Sequence, residues 1–501
     1  MTQIDVNIVH KIFRKLKRFA KFYYDLGLLN SSMKLAQVAS WWAYYFNISF
    51  RDDHLEKLLL LYSHHIKNNN NSYSAIKNKF VFYDSFALDN RGLTQQYMRA
   101  LEAMNVEILF ITDAKENSPN SREIIDEFNE NKNVSIVYIP SHLGELRKSQ
   151  YIFDKIIQFG ASKIFMHLMP DAVCALTAIT ALPDEIVKYQ INLTDHTFWL
   201  GASVLDYSFE FRQKGLNTSN KYRELAKDHL LLLPYYPIVG KSPFEGFPFT
   251  KKNDQVIVFS GGSFYKYYDN DRTFPSIIEM LLDENKEIIF VIAGFSEKET
   301  NGYFDSLLTE KYSNRFYFLG NRHDIAEVFN HCDIYMGSYP YSGGLMGLYA
   351  AYYWKPVVLL RNATSDGGED LICQLKQKSF AYSSVNELCA GVKVLVNDSK
   401  ERKKLGEEIH DCVMTKELFN EILTQMLKVH SNVLDIKDDS CLELPPMDSK
   451  IRLENTNHYC TKKMVGIARW RLLGVSTIFV RPVITREMQA LKRKAKKLVH
   501  L

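Results

Sequence analysis

The chain has no run of about 18 apolar residues, the length a membrane-spanning helix needs; the nearest, residues 164–182, is interrupted by His167, Pro170 and Asp171. No transmembrane helix is expected. The bases between Lys11 and Lys21 are not followed by a compact apolar stretch and a small-residue cleavage site, so no secretory signal is expected either. The seven cysteines (174, 332, 373, 389, 412, 441, 460) are scattered and never spaced C-x-x-C. That excludes a zinc knuckle and a disulfide framework, and reduced, buried thiols in a cytoplasmic protein are the expectation. No repeat of 20 to 50 residues occurs, and the only low-complexity patch is the asparagine run at 68–71.

What is present is the composition of a folded protein, 46% apolar and 24% charged over 501 residues, enough for two or three domains. The formal charge of +4 is unevenly spread. Residues 461–501 hold eleven Lys/Arg against Glu487 alone, and residues 1–22 hold six against Asp5, which leaves 23–460 at −11. An acidic body carries two basic ends.

Residues 1–75 read as helical, with Ile8, Ile12, Leu16 and Phe19 on one face. From Lys79 the texture becomes β-α-β: strands are expected at 80–84, 106–112, 134–139, 163–166 and 188–192, with a helix at 93–104. Four prolines (234, 237, 243, 248) with Gly240 and Gly246 mark a linker. The alternation then restarts, with strands at 256–260, 287–293, 316–319, 333–336 and 357–360 and helices near 274–282, 325–330 and 345–353. This pattern predicts two doubly wound parallel sheets, with ligands beyond the carboxyl ends of their strands.

Glycine and hydroxyl residues collect at those ends. Ser260-Gly261-Gly262-Ser263 follows a strand and Lys266 comes three residues later; small residues let backbone N–H groups approach a phosphate and lysine adds a point charge. Ser342-Gly343-Gly344 opens a helix whose unpaired N–H groups favour a pyrophosphate. Asp366-Gly367-Gly368-Glu369 is a third such turn, with acids suited to ribose hydroxyls. Each turn alone is equally an ordinary βα turn; the three together point to a nucleotide-type ligand. The Asp269-Asn270-Asp271 triplet falls in an expected surface turn, not at a strand end of the first sheet, so no catalytic metal and no cofactor are expected.

The segments VIVFSGGSFYK (256–266), Leu319-Gly320-Asn321-Arg322-His323, CDIYMGSYPYSGG (332–344) and Lys355-Pro356-Val357-Val358 resemble the nucleotide-sugar half of GT-B glycosyltransferases, in particular bacterial relatives of the O-linked N-acetylglucosamine transferase family. The resemblance covers roughly 79–420. It implies an α/β fold of two Rossmann-like domains facing a cleft, the acceptor side at 79–240 and the nucleotide-sugar side at 241–425, with a helical N-terminal extension at 1–78 and a basic extension at 426–501. It places Lys266 at the donor β-phosphate, Gly343 and Gly344 at the pyrophosphate, and Asn321, Arg322 and His323 in the loop facing the base. Two departures stand out: Tyr349 occupies the position of a ribose-binding glutamate, which Glu369 or Asp366 could replace, and Leu345-Met346 stand where the family has a threonine pair.

On the acceptor side, Asp195-His196 followed by Phe198-Trp199-Leu200-Gly201 is similar to a segment of related bacterial glycosyltransferases. Histidine titrates near neutrality and can take a hydroxyl proton, with Asp195 orienting it. His167, at a strand end, is a second candidate, and each histidine has a purely structural alternative. The loop Asn90-Arg91-Gly92 either approaches a ligand or simply starts a helix. Asp206 and Arg212 read as structural ion-pair residues.

Residues 8–22 pattern as a basic amphipathic helix, and 461–501 add Trp470 and Phe479 among their charges. Both suit an anionic membrane surface or a solvated or packed helix; the acidic body and the absence of nucleic-acid-binding signatures argue against nucleic acid. The expected activity is sugar transfer from a nucleoside-diphosphate sugar to a glycan or lipid-linked hydroxyl in surface-polysaccharide assembly, at the inner face of the membrane. A nucleotide-sugar epimerase or hydrolase, and a non-catalytic sugar-nucleotide-binding scaffold, are the alternatives.

Overall fold

Apolar strand segments alternating with amphipathic helices build two parallel sheets. The structure is a computed structural model that describes residues 6–68, 73–86, 92–116, 118–240, 242–300, 302–304, 306–361, 368–373, 375 and 380–434. Asn90, Arg91, Asp366, Gly367 and the basic segment 461–501 lie outside the described residues.

Three helices lead the chain, α1 (Val6–Asp25), α2 (Leu29–Phe46) and α3 (Asp53–Ser63). The first alternating half comprises β1 (Lys79–Asp84), α4 (Leu93–Ala103), β2 (Glu107–Thr112), α5 (Arg122–Asn129), β3 (Val134–Tyr138), α6 (Glu145–Phe159), β4 (Lys163–His167), α7 (Val173–Thr180), β5 (Val187–Asn192), β6 (Tyr207–Glu210), α8 (Gln213–Arg223) and β7 (Leu230–Leu232). The second comprises β8 (Val256–Gly261), α9 (Thr273–Glu284), β9 (Ile288–Ala293), α10 (Ser306–Lys311), β10 (Phe316–Gly320), α11 (Ile325–His331), β11 (Ile334–Met336), α12 (Gly344–Tyr352), β12 (Val357–Leu360), α13 (Glu369–Ile372) and β13 (Ala381–Tyr382). Helices α14 (Val385–Asn397), α15 (Ser399–His410) and α16 (Lys416–Val429) close the described chain.

The first sheet runs β3-β2-β1-β4-β5-β6-β7 and the second β10-β9-β8-β11-β12-β13. Every neighbouring pair is parallel. In both sheets the strand order reverses beside the first strand, between β1 and β4 and between β8 and β11, and such switch points open a crevice at the carboxyl ends. The expected strands all form. Strands β6, β7 and β13, of four, three and two residues, were not expected, because so few residues carry no period.

The helical leader is not a separate extension. Ile12, Phe13 and Leu16 of α1 share one apolar core with α2, α3, α6, α7 and the β1 face carrying Val81 and Tyr83. Of the expected apolar face, Ile12 and Leu16 are therefore spent inside the protein with Phe19 packed against the same core, while Lys11, Arg14 and Arg18 are exposed. The unit expected at 241–425 is not closed either. Helix α16 crosses back to the first domain, where Phe419 packs edge-on against Tyr97 and Tyr236, with ring centroids 5.2 and 5.5 Å away. The Asn432 amide oxygen then accepts from Leu232 N at 2.6 Å, and Tyr189 and His430 pair at 2.9 Å. Among the described residues of 233–255, where the proline-rich linker was expected, no helix or strand occurs.

Candidate active site

At the switch point of the second sheet, β8 ends at Gly261 and a short helical turn carries Lys266. The Lys266 carbonyl accepts from Tyr341 N at 3.2 Å, which ties this turn to the loop before α12. Within that loop the Ser338 hydroxyl donates to the Tyr341 carbonyl at 2.6 Å. A Cβ added at Gly343 would stand 3.3 Å from Lys266 Nζ, so the ammonium lies against the N-cap of α12, whose first N–H groups have no partner within the helix. Gly368 packs on the same loop: its φ is +78° and a Cβ there would come within 2.5 Å of Ser342 Oγ, so only glycine fits. The structure thus gathers Gly261, Gly262, Ser263, Lys266, Ser342, Gly343, Gly344 and Gly368 around one point.

Asn321, Arg322 and His323 are placed differently. They follow β10, the edge strand, two strands away from β8. Arg322 is committed to Asp324, with both contacts at 2.6 Å, and to the Gly246 carbonyl at 2.7 Å, so it fastens the linker. Asn321 and His323 are exposed. Glu369 is also committed: one carboxylate oxygen accepts from Phe380 N and Ala381 N at 2.8 and 3.0 Å and the other from Arg361 at 2.7 Å. Burial would raise its pKa, but Arg361 and the two amides win and hold it low. Tyr349 donates to the Ile238 carbonyl at 2.7 Å, so this residue, too, ties the linker to α12.

In the first domain, His196 Nδ1 lies 3.2 Å from Asp195 Oδ1; the histidine is half exposed and the aspartate buried. Arg212 grips Asp195 through Nε and Nη2 and reaches Asp370 on α13 with Nη1 at 3.3 Å. Burial alone would raise the Asp195 pKa, but Arg212 and His196 overcome it and hold the carboxyl well below the usual range. Asp370 lies two residues after Gly368, so this pair connects the Asp195-His196 loop to the glycine cradle.

The loop itself is clamped from below. Arg223, fully buried, donates from Nη2 to the carbonyls of Thr194, Asp195 and Thr197 at 3.1, 3.1 and 2.6 Å. Its charge faces Glu210, which accepts from Asn192, Ser208 and Ser219. Sequence reasoning missed Arg223 and Glu210: α8, QKGLNTSNKYR, is polar along its length and Glu210 ends a four-residue strand, so no apolar context marks either charge.

His167 is separate from this group. It is buried at the end of β4, with Nδ1 3.1 Å from both Asp84 Oδ1 and Thr94 Oγ1 and the Phe86 ring stacked on it at 4.6 Å. Its Nε2 is buried without a hydrogen-bond partner. Gly92 is the N-cap of α4 with φ +76°, the helix-start reading. Asp206 accepts from the Lys188 backbone N–H at 2.7 Å, a backbone hydrogen bond where an ion pair was expected. Among the described residues no group of three His, Cys, Asp or Glu side chains is arranged to hold a metal ion.

Two doubly wound domains joined by a linker, with the last described helix returning to the first domain, constitute the GT-B fold of glycosyltransferases. Comparison with solved structures agrees. The chain is similar to a mutant O-GlcNAc transferase of Thermobaculum terrenum (TM-score 0.52, 14% identity, 84% of this chain and 82% of that one covered). It is also similar to the Anabaena protein HepE solved with UDP and glucose (0.50, 13%, 70% and 99%) and to a glycosyltransferase of Rickettsia africae (0.51, 11%, 72% and 99%). At these identities the likeness is one of fold. No protein-family profile matches the sequence, and no curated protein matches it.

Proposed function

We propose that this protein is a glycosyltransferase that moves a sugar from a nucleoside-diphosphate sugar to a hydroxyl of a glycan or lipid-linked acceptor in surface-polysaccharide assembly. The observation that carries the reading is the Lys266 ammonium set against the N-terminus of α12 at the switch point of the second sheet. An ammonium and a helix N-terminus there meet the need of a leaving diphosphate for preorganised positive charge. The fold is shared with a protein solved with UDP and glucose, which makes UDP the first nucleotide to test.

In this reading His196 is the proton acceptor. With Nδ1–H donating to Asp195, its Nε2 lone pair takes the proton of the acceptor hydroxyl. That oxygen bonds to the anomeric carbon as the bond from carbon to diphosphate oxygen breaks, and Lys266 with the α12 N–H groups takes up the charge. We assign no metal and no cofactor to the step. The exposed basic face of α1 suits an anionic membrane from the cytoplasmic side, where a lipid-linked acceptor would be met.

Calorimetry with UDP tests the cradle. Lys266→Ala should weaken binding about tenfold or more, the equivalent of one charge-assisted contact; an unchanged Kd would remove the phosphate role. Complete turnover of a nucleotide sugar without any acceptor would instead favour an epimerase or hydrolase.

A further inference from the structure

We propose that a cavity of about 290 Å3 in the first domain, at the carboxyl ends of β1, β2, β3 and β4, is a subsite for one neutral, hydroxyl-rich sugar ring of the acceptor. It rests on the glycosyltransferase reading but uses none of the residues that carry it. The cavity lies across the sheet from Asp84 and His167, on the face of Tyr83, and is closed by the first turns of α6 and α7. Small-molecule sites begin at about 300 Å3. The volume accommodates one sugar ring.

The lining defines the ligand's chemistry. Asp113, Glu145 and Asp171 face the space with a single ammonium, Lys148. Glu145 is anchored, accepting from Gln37 Nε2 at 3.2 Å and Cys174 Sγ at 2.9 Å, with Lys148 Nζ 3.7 Å away. Asp113 is not: the Tyr83 hydroxyl, at 3.1 Å, is its one side-chain partner among the described residues, and no cation holds it. An ionised carboxylate only accepts hydrogen bonds, so this wall calls for donors that carry no negative charge. Sugar hydroxyls are such donors. Phosphate or carboxylate groups would meet like charge, which keeps the diphosphate end of the donor on Lys266 and out of this space.

The electrostatics of Asp113 agree. Asp113 is an exposed residue, open to the cavity, yet the protein packed around its carboxyl raises it to about 6, with Asp84 and Asp171 adding and the Tyr83 hydroxyl and Lys148 opposing. Glu145 of α6 and Cys174 of α7 face the same cavity. A carboxylate at a cavity wall whose charge is disfavoured and which no cation pairs is a functional-site pattern. Above about pH 6 the site is ionised and accepts from hydroxyls; as the pH falls through that value it gains a proton and loses acceptor strength.

The full chain should be titrated by saturation-transfer NMR with methyl glucoside, methyl galactoside and methyl N-acetylglucosaminide, and with N-acetylneuraminate as the anionic counterpart. At least one neutral glycoside should bind. Its affinity should fall about tenfold in Asp113→Asn and in Asp171→Asn, the loss of one charged hydrogen bond, and should weaken between pH 7.5 and 5. UDP affinity should be unchanged in each variant, which also reports folding. Should either asparagine variant fail to fold, Ser141→Trp plugs the cavity from an exposed position and must abolish glycoside binding. The proposal is overturned if no neutral glycoside binds, if these variants bind as the wild type does, or if N-acetylneuraminate binds equally well. With Lys266-dependent UDP binding intact, that result removes the cavity assignment alone; loss of UDP binding in the wild type removes the glycosyltransferase reading itself.

Discussion

Arg223 shows how single residues hold this site. It has no exposed surface, stacks over Trp199 at 5.0 Å, and spends Nη2 on three carbonyls of the loop that carries His196, while Nη1 donates to Ser219 Oγ at 3.1 Å. Burial lowers its pKa to about 10 and raises that of Glu210, and each charge counters part of the other's shift. Removing one partner strands the other, so Arg223→Met should cost about 3–5 kcal/mol in urea unfolding, the range for breaking a buried ion pair. Adding Glu210→Gln should recover part of that loss; a single-variant cost under about 1 kcal/mol would show that Glu210 does not need the cation. Asp195 works with the opposite sign: its lowered folded pKa contributes stability fully present above about pH 4 and lost only as the pH falls toward the folded value. Lys266, the glycine pairs and Asp195-His196 were legible in sequence because their chemistry is local. Arg223, Glu210 and Asp113 were not, since their meaning comes from partners far along the chain that burial brings together. Glu369 was misleading for the same reason: an acid in a glycine turn reads as a ribose ligand until Phe380 and Ala381 are seen to occupy it.

At the scale of elements, periodicity carried the fold. The apolar run of residues 256–260 and the helical spacing from Leu345 fixed β8 and α12 almost to the residue, because a strand buried on both faces is continuously apolar. Helix α16 illustrates what periodicity omits. Its pattern of Phe419, Ile422, Leu423 and Met426 predicts a buried face but not which domain receives it. The receiving surface, Tyr97 and Tyr236, comes from more than 180 residues earlier. Thr415 caps the helix by accepting from Leu418 N at 3.2 Å, so its start is set locally and its docking is tertiary. Phe419→Ala should destabilise the protein by about 3–5 kcal/mol, the range for truncating a buried aromatic. It should also loosen the return of the chain to β7, read as faster amide exchange at Leu232, whose N–H donates to Asn432 Oδ1. Unchanged exchange there would mean that α16 does not carry that attachment.

For the whole molecule, the question is what its charge distribution serves. Helix α1 was expected either to lie on an anionic membrane or to pack as an ordinary helix, and its apolar face packs, as the floor of the first domain's core. What remains outside is Lys11, Arg14 and Arg18, exposed on one side of α1, with Phe22, Leu26 and Leu28 exposed where the helix ends. Lys17 and Lys21 are paired with Asp52 and Asp25 and add little. The geometry is thus a basic stripe ending in an apolar tip, suited to headgroups along its length and to the acyl boundary at its end. No helix among the described residues is long and apolar enough to cross a membrane, so any attachment through these elements would be peripheral. Each base near an anionic surface contributes about 1 kcal/mol, screened within a Debye length of about 8 Å at physiological salt. Reversing two of them by Arg14→Glu with Arg18→Glu should therefore lower co-sedimentation with phosphatidylglycerol vesicles, and raising the salt should do the same to the wild type. Deleting residues 461–501 separates the contribution of the second basic end. If the charge-reversed protein binds as the wild type does while the deletion abolishes binding, the tail alone makes the contact; if neither change matters and salt has no effect, the basic ends serve something other than a membrane.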